Sequence, residues 1–116
     1  MAGVEVRTRV ARGHFVVELR GELDAAGAAG AASAVAVRAA GGLGVIVDLA
    51  GLDFLDCCAL RALAGAGEAA RRAGGFVVLA GPRGLVLRLL DVTGLPGALG
   101  VHPSVAAAVR LSASRS

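Results

Sequence analysis

At 116 residues the chain fits one compact domain and leaves no room for a second. Mean hydropathy is +0.74, but the value comes from Ala and Gly spread throughout, and apolar runs such as 43–47 and 76–80 are far short of the ~20 residues that cross a bilayer, so no membrane insertion is expected. Net charge is +3, every cation is an Arg, and these are scattered from Arg7 to Arg115 among only three aromatics, Phe15, Phe54 and Phe76, which read as core; direct nucleic-acid binding is thereby excluded.

Residues 4–10 alternate apolar and polar, the pattern of a half-buried strand, and Arg12-Gly13-His14 reads as a tight turn into a second strand, Phe15 to Leu19, ending near Arg20-Gly21. Asp24 is placed to cap a helix that runs to Ala40, with Ala28, Ala31, Ala32, Val35 and Ala39 as its buried stripe and Gly41-Gly42 as its stop. Val45-Ile46-Val47 is a short β-branched run, the mark of a central strand, with Asp48 and Asp53 as its terminators. From Cys58 to Arg72 the pattern is helical: Leu60, Leu63, Ala64 and Gly67 share the core face, and Arg61, Gly65, Glu68 and Arg72 the outer one. This spacing puts Cys57 on the core side and Cys58 on the surface with Arg61 and Gly65.

A strand at Phe76 to Leu79 follows, then a third helix at Leu85 to Asp91 carrying Val86, Leu89 and Leu90 and closed by Thr93-Gly94. A last strand at Leu99 to Val101 leads to a terminal helix, Val105 to Leu111, capped by Ser104. The order β-β-α-β-α-β-α-β-α defines an α/β fold: a mixed β-sheet with an N-terminal hairpin and about four helices packed against it.

Chemistry-bearing arrangements are sparse. Cys57 and Cys58 are adjacent, which suits neither an intrachain disulfide nor zinc, so no metal and no cofactor is expected. His14 and His102 sit in no recognisable catalytic motif, and no complete phosphate-binding glycine loop follows a strand. The acids Asp24, Asp48, Asp53 and Asp56 lack the Lys that a phospho-acceptor receiver domain would use. No catalytic residue is expected, and the chain does not read as an enzyme. With an adjacent cysteine pair and no leader pattern, the expected location is cytoplasmic.

The stretch Val45 to Leu63, VIVDLAGLDFLDCCALRAL, closely resembles the signature region of the STAS family of anti-sigma factor antagonists. Gly21-Glu22-Leu23-Asp24, Asp91-Val92-Thr93-Gly94-Leu95 and Val101-His102-Pro103-Ser104 resemble further blocks of that family, so the likeness spans nearly the whole chain. It implies a STAS domain over residues 1–112 with a flexible C-terminal tail at 113–116. It also implies a bacterial, regulatory binding protein that engages a serine-kinase type of anti-sigma factor and so releases a sigma factor, as a monomer or weak dimer. In such proteins the kinase phosphorylates a Ser or Thr in an Asp-Ser-Ser-Gly type motif, which corresponds here to Asp56-Cys57-Cys58-Ala59. The acceptor hydroxyl maps to Cys58, a thiol that an ordinary serine kinase does not modify, and the Gly is replaced by Ala59. The partner-binding residues implied are Asp24, Asp56, Cys58, Ala59, Arg61 and Gly65. Competing readings are a STAS subunit of a membrane transport complex and a thiol-based redox switch acting through Cys58.

Overall fold

The computed structural model describes residues 3–41, 44–94 and 99–113. Its elements are β1 (Val4–Ala11), β2 (His14–Leu23), α1 (Ala25–Ala39), β3 (Gly44–Leu55), α2 (Cys57–Arg72), β4 (Phe76–Ala80), α3 (Gly84–Thr93), β5 (Val101–His102) and α4 (Val105–Ala113). One five-stranded sheet in the order β1-β2-β3-β4-β5 joins them; β1 runs antiparallel to β2, and every other neighbouring pair is parallel. The hairpin turn places Arg12 at φ 50° and Gly13 at φ 81°, the paired positive values that a two-residue turn needs to match the twist of its strands.

The two faces of the sheet are covered unequally. Toward α1 and α2 it sends Val17 and Leu19 of β2, Val45, Val47, Leu49, Leu52 and Leu55 of β3, and Val77 and Leu79 of β4. These meet Ala28, Ala31, Val35 and Ala39 of α1 and Leu60 and Leu63 of α2, while Val86 and Leu90 of α3 extend the same cluster. The small alanines of α1 let it lie close, as the sequence stripe predicts, with Ala32 only half-buried. On the opposite face Val16, Ile46, Val78 and Ala80 meet a single helix, α4, through Ala108 and Val109.

Several boundaries differ from the sequence reading. The central strand does not stop at Asp48: β3 continues to Leu55, with register shifts against β2 after Glu18 and after Gly21. Each shift absorbs one extra residue of β3: the first lies just after Asp48, which still pairs with Glu18, and the second leaves Asp53 unpaired, so neither Asp ends the strand. Asp48 Oδ1 accepts from the Ala50 N–H at 3.0 Å, which supports the first irregularity. Strand β2 likewise extends to Leu23, past the expected end at Gly21.

The half-buried reading of β1 also fails over most of its length. Only Val4 and Ala11, at its two ends, pack on the core clusters; Val6 is 37% and Val10 66% exposed, because β1 is an edge strand with little of the helix layers over its middle. Phe54, expected in the core, is 41% exposed. The last strand is Val101–His102, with Leu99 buried ahead of it. Ser104 caps α4 as expected, its Oγ accepting from the Ala107 N–H at 3.0 Å. That helix runs through residue 113, the first of the expected tail, and residues 114–116, like Gly42 and Leu95, lie outside the described residues.

Candidate partner-binding site

Strands β2 and β3 end side by side. Leu23 pairs with Leu55, and the backbone N–H of Asp56 donates to Leu23 O at 3.2 Å, so the residues that follow, Asp24 and Asp56, leave the sheet as neighbours. Both adopt extended backbone, and both cap the helix behind them. Asp24 Oδ1 accepts from the N–H groups of Ala26 (3.1 Å) and Gly27 (3.3 Å); Asp56 Oδ1 accepts from Ala59 at 2.8 Å. A carboxylate at a helix N-terminus satisfies free N–H groups and opposes the positive end of the helix dipole. Two helices therefore start side by side at one end of the sheet.

Gly21 helps to fix this end. It sits at φ 97°, and a Cβ there would run into the carbonyl oxygen of Gly3. The following N–H, that of Glu22, donates to the same Gly3 oxygen at 2.9 Å, so the start of β1 is pinned against the end of β2.

Cys57 and Cys58 open α2, and both are exposed. The structure thus corrects two expectations: Cys57 is not a buried packer, and Ala59, expected at the partner surface, is fully buried. One cause accounts for both. The buried residues of α2 are Ala59, Leu60, Leu63, Ala66, Gly67 and Ala70, a stripe turned by roughly 50° from the expected one at ~100° per residue. That rotation carries Ala59 inward and Cys57 out. The remaining expected residues fall as predicted: Asp24, Cys58, Arg61 and Gly65 are exposed and Asp56 is half-buried. Nothing lies within 4 Å of a Cβ built on Gly65, so this stretch of the helix presents an unobstructed surface.

The sequence reading missed Phe54. Two residues before the Asp56 cap and paired with Glu22, it adds an exposed aromatic to the same strand end. Its neighbour Asp53 anchors α3: Arg83 Nη2 lies 3.2 Å from Asp53 Oδ1, and Arg83 Nε donates to Ala50 O at 2.7 Å. Strict alternation past Leu52 would have placed Phe54 inside with Leu52, and the bulge at Asp53 is what puts it outside.

The histidines lie elsewhere. His14 opens β2, at the far end of the strand from Asp24, with Nδ1 3.0 Å from Arg12 O and its ring tilted at 5.9 Å from Phe76. At ~3.3 Å per residue the length of β2 separates it from the cysteines, so no Cys-His pair forms there. Among the described residues, no group of three or more His, Cys, Asp or Glu could hold a metal ion, and no helix is long and apolar enough to cross a membrane.

A carboxylate-capped pair of helix starts at one end of a mixed, bulged sheet is the architecture to be placed, and comparison with known proteins supplies its family. The chain belongs to the STAS domain family, whose profile matches residues 5–108. It is similar to RsfA, the anti-sigma-F factor antagonist of Mycobacterium tuberculosis, with 35% identity over 97 residues, covering 81% of this chain and 76% of that protein. The crystal structure of an anti-sigma factor antagonist from Mycobacterium paratuberculosis superposes with a TM-score of 0.81 at 25% identity, covering 98% of this chain and 96% of that one. SpoIIAA, an anti-sigma factor antagonist, shares the fold in its unphosphorylated form with a TM-score of 0.73 at 18% identity, over 96% of this chain and 97% of that one.

Proposed function

We propose that this protein is an anti-sigma factor antagonist: a cytoplasmic, non-enzymatic binding protein that engages a kinase-type anti-sigma factor through the start of α2 and so frees a sigma factor. The observation that carries the reading is the 35% identity to RsfA across 81% of the chain, over a domain in which the Asp56-Cys57-Cys58 segment stands exposed at a helix start. In this reading Asp24, Asp56, Cys58, Arg61 and Gly65 form the contact surface, and Phe54 is added to them.

By its resemblance to the family's Asp-Ser-Ser-Gly type motif, Asp56-Cys57-Cys58-Ala59 puts Cys58 at the phospho-acceptor position in this reading. A phosphate there would bring about −1.5 to −2 charges next to Asp24 and Asp56 and drive the partner away. A thiol supplies no acceptor hydroxyl, so the surface stays competent to bind regardless of kinase activity.

The test is recovery of partners from the source cell's lysate with wild-type protein and with Cys58→Asp, the bound proteins being identified by mass spectrometry. The reading expects an anti-sigma kinase with wild type and its loss with Cys58→Asp. Recovery of transporter components, or equal recovery of the kinase by both, would contradict it. A second reading, a thiol switch, draws support from the exposure of both cysteines. It requires that peroxide change partner affinity and that Cys58→Ser abolish the change.

A further inference from the structure

We propose that the groove between the β1–β2 hairpin and α4 binds a free, single-chain amphiphile: an alkyl chain ending in a carboxylate. The groove follows from the unequal covering of the sheet. Five strands at ~4.8 Å spacing are ~19 Å across, whereas a helix with its side chains is ~10 Å wide. Helix α4 packs over β3, β4 and β5. The strip of β1 beside it is left open.

What remains is a groove of about 630 Å³, within the ~300–1,000 Å³ of ligand pockets. Its apolar lining is Ala11 of β1 with Val105, Ala106 and Val109 of α4, small aliphatic side chains that suit an alkyl chain better than a stacked ring. Among the described residues its polar side chains are all cationic: Arg9, Arg12 and Arg110.

None of these three guanidinium groups has a carboxylate partner among the described residues, although five other ion pairs form elsewhere on the molecule. The first turn of α4 adds positive dipole and carries no acidic residue to offset it. Arg12 also holds φ 50°, a left-handed position that turns of this type usually give to Asn, Asp or Gly. A long cation thus occupies a costly backbone position at the edge of a groove already positive on its other sides. A single carboxylate reached by these planar forks would relieve their mutual repulsion, and the alkyl chain would cover the apolar lining. The groove lies at the hairpin end of β2, the opposite end from Asp24, so ligand and protein partner would not compete for space.

Amide NMR titration with decanoate, kept below its micelle-forming concentration, tests the assignment. Saturable shifts are expected at residues 9–12 and 105–110, with none from decylamine, which has a similar chain and the opposite charge. The Arg9→Gln/Arg110→Gln double variant, altered only at exposed positions, should weaken decanoate about tenfold or more. Shifts confined to other residues, equal affinity for decylamine, or unchanged affinity in the double variant would overturn the proposal. So would attachment to anionic phospholipid vesicles without any response to free decanoate, which would make the arginines a membrane contact instead.

Discussion

Asp24 and Asp56 each follow the last residue of a paired strand, and each caps the helix behind it, yet the two helix starts present different surfaces. After Asp24 come Ala25, Ala26 and Gly27, which offer no reactive group. After Asp56 come two exposed thiols, with Arg61 one turn along and Phe54 just before. The shared frame is backbone geometry set by the Leu23 and Leu55 pairing; the difference lies only in the side chains carried outward. A sheet end that positions two helices at once can therefore use one as support and the other as a contact surface.

The largest expected difference between the two helices is in how they hold the core. Helix α2 buries Leu60 and Leu63 completely, whereas α1 buries mostly alanines. Leu63→Ala should cost about 2–5 kcal/mol by loss of apolar burial and the cavity left behind. Ala31→Gly, its counterpart in α1, should cost about 0.5–1 kcal/mol. Denaturant midpoints at constant slope would check the order, and equal costs would break the comparison.

Next come the caps. Asp56 is half-buried and makes the shorter hydrogen bond, 2.8 Å against 3.1 and 3.3 Å for exposed Asp24. Asp56→Ala is expected to lower stability by about 1–2 kcal/mol and Asp24→Ala by about 0.5–1 kcal/mol. Thermal melts of the two variants side by side measure this, and a larger loss at Asp24 would contradict the ranking of the two caps.

A smaller effect separates two glycines. Gly30 in α1 and Gly65 in α2 both face open space, so either one changed to Ala should gain about 0.5–1 kcal/mol of stability. Larger side chains should then part the two helices: Gly65→Leu is expected to weaken anti-sigma factor binding, and Gly30→Leu to leave it unchanged. The smallest perturbation is chemical. Both cysteines of the native protein should react with a thiol-exchange reagent, releasing two equivalents without denaturant. One equivalent would mean that α2 is turned back toward the expected stripe.

Much of this architecture was legible in the residues themselves. Period-two and helical patterns place most of the elements, because runs of Val, Ile and Leu mark the strands and helices of the core even where single apolar residues, such as Val6 and Val10, stay exposed. Asp24 and Ser104 were readable as caps, since a short polar side chain before an Ala-rich run has few other uses. The failures share a cause as well. Ala59, Ala66 and Ala70 are buried but carry too little apolar surface to define a stripe, so the face of α2 was drawn through its leucines and misplaced Cys57. Bulges escape a rule of strict alternation, and two of them hid the second half of β3 and the exposure of Phe54. The groove beside α4 depends on what a neighbouring helix fails to cover, a property no local pattern contains.

The central proposal is that the contact with the anti-sigma factor centres on the start of α2 and takes in no more of α1 than its capping Asp24. Ala26 occupies in α1 the position that Cys58 occupies in α2, two residues past the capping Asp, and both are exposed. Calorimetric titration of the recovered anti-sigma factor with wild type, Cys58→Asp and Ala26→Asp places the same carboxylate at each helix start. The predicted result is near-wild-type affinity for Ala26→Asp and a loss of at least about tenfold, some 1.4 kcal/mol, for Cys58→Asp. Equal affinity for the two variants, or a greater loss at Ala26, would contradict it.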